Sequence, residues 1–137
     1  MVTIVLPDNK TINADEKKLI LYSDVFKAFL KNNKTIKLPK NDYYIEENNM
    51  FGTLTNYQYY NIFFELLEDK YDNIIINMIP ANKKNISSSI FTQHELNKFH
   101  TNLYKVNIYI YLALIATKYN CSKIYNHCIS NIYYIFN

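Results

Sequence analysis

Tyr109 to Ile135 reads Y-I-Y-L-A-L-I-A-T-K-Y-N-C-S-K-I-Y-N-H-C-I-S-N-I-Y-Y-I, and this stretch decides the fold. Up to Ala116 it is apolar on every side, the pattern of a helix enclosed by several neighbours rather than lying on a surface. Thr117 to Ser122 are polar apart from Tyr119 and Cys121, so a connection falls there. Ser122 is placed to cap a second helix by accepting from its free backbone donors. In that helix Ile124, Cys128, Ile132 and Ile135 share one stripe, while Lys123, Asn126, His127, Ser130 and Asn131 turn away. The expectation is a helical hairpin with one hidden and one half-exposed arm, over which the rest of the chain closes.

Upstream, Val2 to Leu6 is a β-rich run, Pro7-Asp8-Asn9 is turn chemistry, and Thr11 to Asn13 can return as a second strand. Glu16 to Tyr22 spells a short helix. Ser23 can cap another, with Asp24 favourably placed at the positive end of its dipole. Tyr22, Val25, Phe26, Phe29 and Leu30 keep helical spacing, and Lys31 to Lys34 is a polar break. Thr35 to Pro39 alternates, with Ile36 and Leu38 facing one way, as a third strand. Tyr43 to Ile45 is a strand or loop anchor within a polar stretch that runs to Gly52. Thr53 or Thr55 then opens a strong helix with Tyr59, Ile62, Phe63, Leu66 and Leu67 on one face. Ile74 to Ile79 leans towards strand, and the Lys/Asn/Ser-rich stretch from Pro80 to Ser89 reads as a mobile loop. Thr92 with Glu95 forms a capping box for a further helix carrying Leu96, Phe99 and Leu103. Phe26 and Leu114, each central in an apolar face, are both expected in the core.

The local wording resembles a known family. L-I-L-Y-S-D-V-F-K-A-F-L, from Leu19 to Leu30, is similar to the L-x-x-x-S-x-x-F-[KR]-x-[ML]-[LF] segment of the BTB/POZ superfamily, with Leu19, Ser23, Phe26, Lys27 and Leu30 in the matching places. T-I-K-L-P resembles that family's third strand, and T-N-Y-Q-Y-Y-N-I-F-F-E-L-L the helix after it. The closing pair, with A-x-K-Y before a short turn and a Cys one turn into the next helix, resembles that of the Skp-type adaptors and elongin C. These motifs span nearly the whole chain. The fold they imply is α+β: a small three-stranded sheet flanked by a cluster of short helices ending in a helical hairpin, one domain over residues 1–137. The segment from Asp69 to Phe91 resembles the insertion of the Skp-type adaptors. In two respects the chain departs from them. The sequence stops at Asn137, where those adaptors continue with helices that hold an F-box, and it starts at the first strand without the leading segment many BTB dimers exchange. The resemblance implies a non-enzymatic adaptor with protein partners. In cullin-binding relatives the end of the first closing helix meets the cullin, and the matching residues are Lys118, Tyr119 and Asn120. The helix from Thr92 to Leu103 lacks a hydrophobic-x-acidic cullin motif. Such a domain would link a cullin-type ubiquitin ligase to a substrate or substrate receptor; a homo-oligomeric scaffold is the alternative.

Composition narrows the field further. A chain of 137 residues with 49 % apolar content can enclose one core. Tyr 14 and Phe 8 with Trp 0 is a heavy aromatic load, and tyrosine suits interfaces because an apolar ring carries a polar tip. A single glycine excludes a Gly-rich phosphate loop. All 15 basic residues are lysine, so the guanidinium fork that reads guanine or clamps phosphate is missing. Lys31, Lys34, Lys37 and Lys40, followed by Tyr43 and Tyr44, could hold a nucleic-acid strand. The simpler reading is the solvated margin of a sheet edge, and a net charge of +3 is weak for nucleic acid. The abundance of Asn, Lys, Ile and Tyr fits an AT-rich viral or protist source.

Cys121 and Cys128, about 10 Å apart over two helical turns, suit neither a disulfide nor, with His127 alone, a zinc framework. They read as reduced, buried thiols of an intracellular protein, in cytoplasm or nucleus and, for a viral chain, of a host cell. His94 and His100 make a poor metal pair. Glu65, Glu68, Asp69 and Asp72 read as a solvated helix end. No catalytic site, metal or cofactor is expected, and no segment is apolar enough for a membrane or a signal peptide. The four Asn-x-Ser/Thr matches are chance in so Asn-rich a chain.

Overall fold

A computed structural model describes residues 1–40, 54–70 and 93–136, except the side chains of 93–100. The expected anchor at Tyr43 to Ile45, the strand at Ile74 to Ile79, the loop at Pro80 to Ser89 and Thr92 of the capping box lie outside those residues.

The described residues form an α+β fold with one mixed sheet and five helices. Strands β1 (Val2–Val5) and β2 (Thr11–Ala14) pair antiparallel, with Ile4 opposite Ile12. Asn9 sits in the turn at φ 68°, a left-handed conformation that asparagine tolerates. Strand β3 (Thr35–Lys37) joins the other side of β1 in parallel, with Ile36 against Ile4, giving the order β2-β1-β3. A parallel partner requires a crossover. The helices α1 (Glu16–Tyr22) and α2 (Asp24–Phe29) supply it. The period-two alternation puts Val2, Ile4, Leu6, Ile12, Ala14, Ile36 and Leu38 on the buried face.

Ser23 separates α1 from α2. Its backbone N–H donates to the Leu19 carbonyl and closes the first helix, and its hydroxyl accepts from the Phe26 N–H and caps the second. Helix α3 (Asn56–Leu67) begins at Thr55, whose side chain and that of Gln58 satisfy each other's backbone N–H. Helices α4 (Gln93–Lys118) and α5 (Ser122–Phe136) form the closing hairpin.

Three expectations are corrected. The helix enclosed on nearly every side is α3: Tyr60 and Phe64 are buried along with Tyr59, Ile62, Phe63, Leu66 and Leu67, because α1 and both arms of the hairpin pack against it. The segment around Leu103 and the apolar helix from Tyr109 are one continuous helix, since no glycine or proline interrupts Leu103 to Tyr109 and Tyr104, Val106 and Ile108 are buried through the expected break. Leu114 is 45 % exposed, on a side of α4 that no other described element covers. Phe26 is fully buried, as expected, and touches the rings of Phe64 and Tyr119. Phe29, by contrast, is exposed.

Phe26→Ala should therefore cost about 3–5 kcal/mol, the range for deleting a buried ring. Leu114→Ala should cost less than about 1 kcal/mol because half the side chain already meets water. Urea denaturation midpoints of the two variants check this, and equal losses would contradict the arrangement.

Candidate protein-interaction surface

The turn that joins α4 to α5 holds the three residues singled out from the sequence. Helix α4 ends in a left-handed stop: Asn120 has φ 50°, its N–H donates to the Thr117 carbonyl, and the Cys121 N–H donates to the Ala116 carbonyl. The first bond of the α5 ladder runs from the Tyr125 N–H to the Cys121 carbonyl, so Cys121 rather than Ser122 occupies the capping position. Burial pushes the Cys121 thiol up, against a smaller opposing pull from the Ile124 and Lys123 N–H groups, so it stays protonated at neutral pH.

Tyr119 points inward. It is 3 % exposed, its ring stacks on Phe26 at 4.5 Å between centroids, and its carbonyl accepts from the Ser23 hydroxyl at 2.5 Å. Of the two readings its sequence leaves open, an exposed anchor for a partner and a lid over the turn, the buried ring is the lid, held there by the stack and by the buried Ser23 bond. Its hydroxyl has no hydrogen-bond partner among the described residues. Lys118 is half-buried and Asn120 exposed, so these two bring the turn to the surface.

The start of α5 is pinned by charge. Asp69 stands just past α3 in a left-handed conformation (φ 61°), and its two carboxylate oxygens accept from Lys123 at 2.6 Å and Lys18 at 3.0 Å. Lys123 also lies 4.0 Å from the centroid of the Tyr22 ring. The hydrogen bonds from Lys123 and then Lys18 hold the Asp69 carboxyl below the usual carboxylate range, and the bond to Asp69 raises Lys18 above the usual lysine range. One exposed carboxylate thus ties α1, α3 and α5 together, with each pair screened by solvent.

No other described element covers the other side of the hairpin. On α4, Leu103, Asn107, Ile110, Leu114 and Thr117 recur at alternating steps of four and three and are all exposed, a narrow seam-like stripe. On α5, Tyr125, Ile129, Tyr133 and Phe136 form a second exposed stripe. The rings of Tyr109 and His127, 6.1 Å apart, mark one side of the groove where the helices meet. At about 100° per residue, each stripe lies past that groove on its far side, so both face the same way. In an antiparallel hairpin closed at Asn120, Leu114 comes level with Tyr125, Ile110 with Ile129, Asn107 with Tyr133, and Leu103 with Phe136. The seven large apolar side chains of this face are 42–72 % exposed. The sequence carries a signal for it, a second apolar line on α5 beside the buried one, but polar residues lie between the two lines and mask the second.

Elsewhere, Lys31, Lys34, Lys37 and Lys40 are exposed, and Lys34 pairs with Glu16 at 2.5 Å. Cys121 and Cys128 are buried and outside any disulfide. Among the described residues no three His, Cys, Asp or Glu side chains gather as metal ligands, and no helix is long and apolar enough to cross a membrane. His94 and His100 lie where side chains are not described. No family model, curated protein or solved structure matches this chain.

Two measurements check this geometry. Tyr119→Phe removes only an unpartnered hydroxyl, so stability should hold or rise by up to about 1 kcal/mol; Tyr119→Lys should unfold the hairpin by burying an ammonium. For Asp69, whose folded pKa is depressed, the stabilisation is present above the ordinary carboxylate range and lost as pH falls through the folded value. The difference in melting temperature between wild type and Asp69→Asn should hold near neutral pH and close below about pH 4. A difference that persists unchanged into acid would contradict the pairing.

Proposed function

We propose that this chain is a non-enzymatic protein–protein interaction module of BTB/POZ or Skp-like type, an adaptor that joins a cullin-type ubiquitin ligase to a substrate or substrate receptor. The observation that carries the interaction reading is the outer face of the α4–α5 hairpin. The three aromatics among them carry roughly 150–250 Å² apiece and the four Leu and Ile less, so at the observed exposure the face leaves on the order of 600 Å² of mainly apolar surface. That stands at the top of the range for the largest apolar patch of an ordinary monomer, about 300–600 Å². Keeping so much apolar surface in water is unfavourable unless a partner covers it.

The BTB-type reading draws on the element order and on Ser23. A hairpin, two short helices split by a capping serine, a strand parallel to the first, a helix and a closing helix pair follow the order that the motifs imply. The cullin reading rests on the resemblance of the α4–α5 turn alone. With Tyr119 turned inward, Lys118 and Asn120 are the side chains that turn can offer.

Titration of the purified chain with the N-terminal domain of a cullin, followed by calorimetry, tests the ligase link. The expected outcome is saturable binding that Lys118→Glu weakens about tenfold, a loss of roughly 1.4 kcal/mol, with the fold intact. No heat of binding at concentrations of about 0.1 mM would remove the cullin from this proposal.

A further inference from the structure

The outer face of the hairpin has a chemistry that narrows its occupant. Among the described residues it carries no charged side chain. Its polar groups are the hydroxyls of Tyr125 and Tyr133 and the Asn107 amide, types that both donate and accept, and the Thr117 hydroxyl, which donates to the Ala113 carbonyl within α4 and can accept. Such a set can satisfy a copy of itself, whereas a face with lone lysines or carboxylates would meet like charge. Residues 101–136 hold no Asp or Glu and three lysines. Lys123 is engaged by Asp69 on the other side of the hairpin, Lys105 falls on the opposite side of α4 from the stripe, and Lys118 stands at the margin by the turn.

We propose that this face is where a second copy of the chain docks, two hairpins packing face to face about a two-fold axis into a four-helix layer. The area agrees: on the order of 600 Å² per copy is about three quarters of the roughly 800 Å² per partner of a standard stable interface, and aromatic-rich, charge-depleted composition marks such interface cores. Charge selects the direction. With the two hairpins antiparallel, the Leu114–Tyr125 end of one lies on the Leu103–Phe136 end of the other. The two copies of Lys118 then stand roughly 28 Å apart by helical rise, more than three Debye lengths at physiological salt. A parallel arrangement would set the two lysines side by side. The inference rests on reading the chain as an interaction module and is independent of the cullin link, whose residues lie at the turn.

Light scattering coupled to size exclusion, run on the full chain over a dilution series, tests the proposal. Wild type should run at twice the 16.4 kDa chain mass at micromolar concentration and dissociate on dilution. Ile110→Asp combined with Ile129→Asp should raise the dissociation constant about 30-fold or more, the factor of an interface hot spot. Leu21→Asp, a control at an exposed apolar position on α1, should leave it unchanged. Should the double variant fail to fold, Ile110→Cys serves instead, since its copies lie near the axis and should form a disulfide-linked dimer on mild oxidation while Leu21→Cys should not. A wild type that stays monomeric at about 0.1 mM overturns the proposal, as does a dimer whose dissociation responds to Leu21→Asp and ignores the hairpin variants. The cullin titration and this series fail separately, because the first reads Lys118 at the turn and the second the far faces of Ile110 and Ile129.

Discussion

A single hydroxyl holds two ends of this chain together. Ser23 Oγ accepts from the Phe26 N–H and donates to the carbonyl of Tyr119, 96 positions later. The serine is buried, so water is not a ready replacement for either bond, and leaving either group unmade would cost about 1–3 kcal/mol. The same residue closes α1 through its backbone N–H. The end of one helix, the start of the next and the end of α4 are therefore fixed by one side chain. The Phe26–Tyr119 stack lies beside that bond and converts its direction into packing, since the carbonyl that Ser23 holds belongs to the residue whose ring covers Phe26. From this joint outward, the Asp69 pair sets the approach of α5 and the Tyr111 hydroxyl, donating to Asn56, sets that of α3.

What could be read in the sequence were the features whose causes are local. Strand alternation, the Pro7-Asp8-Asn9 turn, the Ser23 cap and the Thr55 opening of α3 each depend on a few neighbouring residues, and each is present. The stripe through Ile124, Cys128, Ile132 and Ile135 is buried or half-buried along its length for the same reason. What could not be read were the causes that lie far away in the chain. Nothing near Ser23 announces its bond to Tyr119. Nothing in Y-I-Y-L-A-L-I-A distinguishes Ile115, which is enclosed, from Leu114, which is not. Apolar identity states what a side chain prefers and leaves open whether the fold supplies a cover. On α4 the described elements leave a strip one residue wide exposed.

The candidate site shows the same division. Lys118, Tyr119 and Asn120 were chosen as a unit on adjacent positions, yet a left-handed residue at Asn120 reverses the chain there and leaves Tyr119 on the inner side. An aromatic ring just before a helix stop is as well placed to fold back over the core as to project, and here the Ser23 bond decides. The surface that the structure does expose runs along the helices instead of sitting at their junction.

Tyrosine composition therefore carries two messages that the sequence does not separate. Tyr59, Tyr60, Tyr104, Tyr109, Tyr111 and Tyr119 are core residues, where the ring supplies volume and the hydroxyl is a demand to be met inside. Tyr125, Tyr133 and Tyr134 lie on α5 in water, where the hydroxyl costs nothing and the ring does. The balance reverses between the two settings: in the core the apolar part is satisfied and the polar tip must find a partner, and on α5 the polar tip meets water and so does much of the ring. A packing partner that supplied apolar atoms and left the hydroxyls at a wet rim would resolve the second setting as the core resolves the first. Tyr125 and Tyr133 stand level with Leu114 and Asn107, so the same partner would cover the stripe on α4 as well.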